Sequence, residues 1–113
     1  MLVSRTWTDV CPLDKLIPGR GVCALVDGRQ VAVFRVAGAE VYALSNYDPF
    51  SRAFVLSRGI VGSKAERLKV ASPVYKQSFD LETGVCLDDA TVSVPTFEVR
   101  VLDGMVQVAS PAP

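Results

Sequence analysis

The sequence predicts an all-β fold, a small antiparallel sandwich or barrel of about eight to ten short strands. Three observations point there. Short apolar runs alternate with turn residues along most of the chain. Two Asp-Gly pairs, Asp27-Gly28 and Asp103-Gly104, sit between such runs. No stretch sustains a helical period. At 113 residues the chain is one domain, residues 1–113, with an expected core over 8–109 and a frayed tail over 110–113.

Residues 9–21 contain Pro12, Pro18, Gly19 and Gly21 and read as an irregular opening segment, with Trp7 stapling the start of the chain to the core. Residues 21–36 read as two strands around Asp27-Gly28, because glycine takes positive φ without steric cost. The second strand is apolar on both faces, Val31 and Val33 against Ala32, Phe34 and Val36, so it is expected to be central and covered twice. A turn at Ala37-Gly38-Ala39 leads to a third strand over 40–45, completing a meander. Residues 63–68, SKAERL, are expected to offer at most one helical turn. Phe79–Leu81 is a short strand, Glu82-Thr83-Gly84 a turn and Val85-Cys86-Leu87 a returning strand. Residues 97–110 form a hairpin around Asp103-Gly104, with Phe97, Val99 and Val101 inward and Glu98 and Arg100 outward.

Composition excludes several functions. Half of the residues are hydrophobic, 21% are charged and the net charge is zero, so nothing steers the chain toward nucleic acid or an anionic membrane. The basic residues Arg58, Lys64, Arg67 and Lys69 surround Glu66 and read as a solvated face. No apolar run approaches the ~20 residues of a spanning helix, and no signal peptide is expected at the start of the chain; the cytoplasm is the expected compartment. Cys11, Cys23 and Cys86 are odd in number and widely spaced, against a disulfide framework. Cys23 and Cys86 are expected as buried structural thiols. Histidine is absent altogether. That removes histidine bases, Ser-His-Asp triads and imidazole metal ligands. Asp88-Asp89 follows a strand and reads as a solvated turn.

Two loops interrupt the strand rhythm, SNYDPFSRAFVLSRG over 45–59 and ASPVYKQS over 71–78. Each follows a strand and carries an early proline. Loops on a rigid β scaffold are where binding usually sits.

The words around these loops resemble Rieske-type domains. Ala43-Leu44-Ser45-Asn46 precedes the first loop. Phe79-Asp80-Leu81, Thr83-Gly84 and Cys86-Leu87 follow the second. In that family Cys-Pro-His and Cys-Pro-X-His hold a two-iron cluster. Here Asp48-Pro49-Phe50 and Ser72-Pro73-Val74-Tyr75 stand in their place. All four ligand positions, Asp48, Phe50, Ser72 and Tyr75, are replaced, so no cluster is expected. The cluster-free version resembles the small subunit of assimilatory NAD(P)H-dependent nitrite reductase. Val10-Cys11-Pro12-Leu13-Asp14, Ser45 to Phe50, Val55 to Gly62 and Ala71 to Gln77 are similar to that family's phrases. One departure is Ser78, where the resemblance leads one to expect histidine.

The resemblance implies a Rieske-like fold and a subunit without an active site or cofactor of its own. It implies a large partner subunit carrying FAD, an iron–sulfur cluster and sirohaem, which reduces nitrite to ammonium. With the ligands gone, Asp48 is expected to cap its own turn, and Phe50 to stack on Tyr75 across the former cluster position. Tyr47, Pro49, Phe50, Arg52, Tyr75, Lys76 and Gln77 form a candidate partner-binding face. In the plainer account the aromatics fill a satellite core and the polar groups are solvated. Both hold together if the rings point inward and Arg52 and Lys76 outward. Two other functions stay open on the residues alone: a Rieske-type ferredoxin with atypical ligands, and a free-standing β adaptor module.

Overall fold

The computed structural model describes residues 6–64 and 66–110, apart from the side chain of Lys64. Its strands are β1 Trp7–Pro12, β2 Gly21–Val26, β3 Arg29–Arg35, β4 Val41–Ser45, β5 Tyr47–Asp48, β6 Ala53–Phe54, β7 Ile60–Lys64, β8 Arg67–Ala71, β9 Ser78–Asp80, β10 Thr96–Phe97, β11 Val99–Leu102 and β12 Met105–Ala109. All pair antiparallel. They form a three-stranded sheet β1-β12-β11, a four-stranded sheet β10-β4-β3-β2, a second three-stranded sheet β7-β8-β9 and the small ribbon β5-β6. The only helical pieces among the described residues are single 3-10 turns at Leu13–Lys15 and Leu56–Arg58. The all-β expectation holds.

β3 is the hinge of the packing. Val31 and Val33 join Leu16, Val26, Ala43, Val106 and Val108 in one apolar cluster, between the four-stranded sheet and β12. Ala32 and Phe34 point the other way, to Leu44, Leu56, Val70, Phe79, Leu81, Cys86 and Val94. All four β3 residues are fully buried. The run that is apolar on both faces is therefore the strand covered on both faces.

The two Asp-Gly hairpins form as the sequence predicts. Asp27 and Gly28 have φ of 50° and 76°, and Asp103 and Gly104 have 49° and 77°. Two successive positive φ values give the primed turn whose twist matches the strands. The turn at 82–84 depends on its glycine for space as well. Gly84 has φ of +76°, and a Cβ there would lie 2.1 Å from the Val94 carbonyl oxygen.

Several expectations are corrected. The described residues of 63–68 do not form the expected helical turn. They close the β7-β8 hairpin, with Ser63 paired to Leu68 and Lys64 to Arg67. Charged residues mask the strand period there, yet β8 must pair with β7 and β9 to place Val70 in the core. The opening segment is ordered earlier than its prolines suggest, since Trp7 to Pro12 pair with β12, with a bulge between Asp9 and Cys11. Pro12 is the last residue of an outer strand, where a missing N–H is tolerated. Trp7 is held at the sheet surface, where the Arg100 guanidinium lies 4.0 Å from its ring centre. Cys86 is buried but Cys23 is exposed. Residues 85–87 return through single bridges, Phe79 to Cys86 and Val85 to Ser93, and form no regular strand. At the expected frayed tail, the Ser110 N–H donates to the Thr6 carbonyl at 2.8 Å. Residues 111–113 lie outside the described residues.

Candidate functional site: two matched loops

The loop after β4 and the loop after β8 have the same internal wiring. In the first, the Asp48 side chain accepts the Phe50 N–H at 2.9 Å, and the Asp48 carbonyl accepts the Arg52 N–H at 2.8 Å. In the second, Ser72 Oγ accepts the Val74 N–H at 3.3 Å, and the Ser72 carbonyl accepts the Lys76 N–H at 3.1 Å. Proline follows both Asp48 and Ser72, and its fixed φ suits the start of a tight turn. Each of these turns closes on a basic residue in the left-handed region, Arg52 at φ of 58° and Lys76 at 64°.

The loops meet at their first residues. Ser72 Oγ donates to Asp48 Oδ2 at 2.5 Å, and Ser51 Oγ donates to the same oxygen at 2.8 Å. Asp48 is 0% exposed and Ser72 1%. Burial alone would raise the Asp48 carboxyl. The hydrogen bonds from Ser72, Ser51 and the Phe50 and Ser51 backbone outweigh it and hold the carboxyl below its ordinary value. The expected self-capping turn at Asp48 is present.

Asn46 ties the first loop to the frame, a role the sequence reading did not assign. Its Nδ2 donates to Gln30 Oε1 at 3.1 Å, and its Oδ1 accepts the Ser57 N–H at 2.7 Å. Its backbone N–H donates to the Gln30 carbonyl at 3.0 Å, and its own carbonyl accepts the Leu56 N–H at 3.1 Å. One buried amide thus fixes both ends of the loop. The signal in the sequence was an amide directly after the strand Val41–Ser45, at the start of the loop.

The aromatic pairing differs from expectation. Phe50 does not stack on Tyr75. It lies against Phe79, with ring centroids 6.1 Å apart, and packs on the buried cluster of Phe34 and Leu44. Tyr75 is 62% exposed. A ring with no polar atom gains more by entering the core than by bridging the loop tips. Tyr47 pairs instead with Phe54 across the β5-β6 ribbon at 5.1 Å. Pro49 and Gln77 are half-buried, and Arg52 and Lys76 are exposed. Gln77 Oε1 is buried without a hydrogen-bond partner among the described residues.

The residues at the four ligand positions do not fit an iron–sulfur cluster. Iron in such sites takes thiolate and imidazole. Asp48 and Ser72 spend their oxygens on one another and on the loop backbone, Phe50 offers carbon only, and the Tyr75 ring is turned to solvent. Among the described residues, no three His, Cys, Asp or Glu side chains come together as a metal site. A surface groove of about 330 Å³ beside the first loop is lined by Arg29, Gln30, Ser45, Phe54, Pro95 and Phe97, which supply no nucleophile paired with a base.

The Rieske-like [2Fe-2S] domain family matches residues 6–109. The NADH nitrite reductase small subunit of Salmonella typhimurium is 48% identical over 103 residues, covering 90% of this chain and 95% of that protein. This chain belongs to the nitrite reductase small-subunit family. A crystal structure titled as an NADH-dependent nitrite reductase small subunit from Mycobacterium tuberculosis superposes with a TM-score of 0.94 at 52% identity, covering 97% of this chain and 99% of that one. A different relationship links the small-subunit family to longer polypeptides. The Klebsiella oxytoca protein named nitrite reductase [NAD(P)H] large subunit is 40% identical over 109 residues, which is 96% of this chain but 11% of that protein. In that organism a domain like this one is part of the large polypeptide. Among the described residues, no helix is long and apolar enough to cross a membrane.

Proposed function

We propose that this chain is the non-catalytic small subunit of an assimilatory nitrite reductase and acts by contact with the large subunit. The large subunit carries FAD, an iron–sulfur cluster and sirohaem and reduces nitrite to ammonium with NAD(P)H, in the cytoplasm. The observation that carries this is the Klebsiella large polypeptide, in which a domain 40% identical to this chain is covalently joined to the remaining 89% of the protein (100 − 11). Fusion of two partners in one organism supports their association as separate chains in another. The chemistry of the loops agrees, since the four residues at the ligand positions leave the chain no centre for electron transfer.

The contact face runs over the two matched loops and includes Tyr47, Pro49, Arg52, Tyr75, Lys76 and Gln77. Phe50 supports it from beneath. Co-expression with the large subunit from the same genome tests the association. The two chains are expected to co-purify through an affinity tag on either one, and nitrite turnover is expected to change when the small subunit is withheld. Separate elution with unchanged turnover would refute the proposal.

A further inference from the structure

The two loops differ from the rest of this neutral chain in charge. Across residues 45–60 and 71–78 the charged side chains are Asp48, Arg52, Arg58 and Lys76. Asp48 is fully buried, and the three cations are exposed. The solvent-facing charges contributed by the loop residues themselves are therefore all positive, although the chain has twelve basic and twelve acidic residues, and the acidic neighbour is Asp88, which accepts the Ser78 N–H at 2.7 Å at the end of the second loop.

The backbone places two of these cations at equivalent positions in the two loops. Arg52 and Lys76 each sit four positions beyond the residue at the joint, Asp48 or Ser72, and each N–H closes its loop onto that residue's carbonyl. Both adopt left-handed φ, which long side chains rarely take and glycine takes freely. Strain of this kind persists where surrounding structure enforces it, and it gathers at functional positions. In the second loop, directly before Lys76, Val74 is 46% and Tyr75 62% exposed. The two loops thus offer exposed apolar and aromatic side chains together with positive charge, the make-up of an interface with a complementary acidic rim.

We infer that the matched loops form one electropositive docking face, and that the surface of the large subunit receiving it is acidic around an apolar pocket for Tyr75. This rests on the association proposed above. Arg52 and Lys76 set the salt dependence and encounter rate, and Tyr75 supplies the central contact.

The test measures binding of the purified full-length chain to the large subunit of the same organism at low and high salt. Wild type is expected to bind about tenfold more weakly when sodium chloride is raised from about 50 to about 300 mM, as for charges screened over a Debye length. Arg52→Glu with Lys76→Glu is expected to bind about 10- to 100-fold more weakly at low salt and to lose most of the salt dependence. Arg52→Gly with Lys76→Gly guards against misfolding, because glycine suits the left-handed backbone. That variant is expected to melt no lower than wild type yet bind about tenfold more weakly. Lys15→Glu, on the exposed turn Leu13–Lys15, is expected to leave affinity unchanged. Wild-type binding that is indifferent to salt and to both double variants would overturn the acidic-patch inference and leave the association standing. No binding by wild type would remove both.

Discussion

Asp48 does the work at the residue scale. It is a buried carboxylate in an apolar setting, an arrangement stable only when every oxygen is satisfied. Ser72, Ser51 and the Phe50 N–H meet that need, and in doing so they join two loops far apart in sequence. Asp48→Ala should leave these donors without an acceptor and cost about 2–4 kcal/mol of unfolding free energy in urea titrations. Asp48→Asn keeps the shape and loses the charge-assisted bonds, for about 1–2 kcal/mol. The pH response follows from the direction of the shift. Asp48 and Asp80 both have carboxyls held below the ordinary value of 3.8; for Asp80 burial is outweighed by Arg67 and the Glu82 and Thr83 N–H groups. A depressed folded value means the stabilisation is complete above the unfolded value and lost as pH falls through the folded one. Unfolding free energy should therefore fall below about pH 4, and Asp48→Asn should flatten that fall. An unchanged acid slope in Asp48→Asn would count against the role given to this carboxylate.

The two ring positions give a second residue-scale contrast. Phe50 packs on Phe79 and the core beneath, while Tyr75 is mostly in water. Phe50→Ala should cost about 2–3 kcal/mol, and Tyr75→Ala less than about 0.5 kcal/mol, by thermal or chemical unfolding. Equal losses would mean that the two rings share one cluster after all.

At the scale of elements, some pieces announce themselves and others do not. The hairpins at Asp27-Gly28 and Asp103-Gly104 were legible because their turn chemistry is local and demands positive φ. β3 was legible because a strand covered on both faces must be apolar throughout. β7 and β8 were hidden because Lys64, Arg67 and Lys69 break the apolar period, and what fixes them is pairing to each other and to β9. β1 was hidden because its pairing partner β12 lies at the far end of the chain. Cys23 was misjudged because β2 is an edge of its sheet, and edge position is a property of topology. The Phe50–Tyr75 stack failed on a competition invisible in sequence, since the core offered Phe50 a better neighbour in Phe79. The β7-β8 turn yields a direct check. Glu66 has φ of 66°, so Glu66→Gly should stabilise the protein by about 0.5–1 kcal/mol in urea unfolding. In a helical turn the same change would destabilise by about that amount.

For the whole molecule, one frame supports two loops, and the frame persists when the loop chemistry changes. Two apolar clusters on either side of β3 hold the sheets together, and neither includes the residues at the four ligand positions except through the packing of Phe50. Replacing those positions therefore leaves the core intact. The Asp48–Ser72 contact joins the loops where a cluster joins them in metal-bearing members of the fold family. What remains outside includes the exposed Arg52, Arg58, Tyr75 and Lys76 side chains.

The most direct measurement is iron and acid-labile sulfide in protein purified without oxygen, read together with its visible spectrum. The account predicts a colourless chain with no stoichiometric iron. About two irons and matching sulfide per chain, with the absorption of a two-iron cluster, would contradict it.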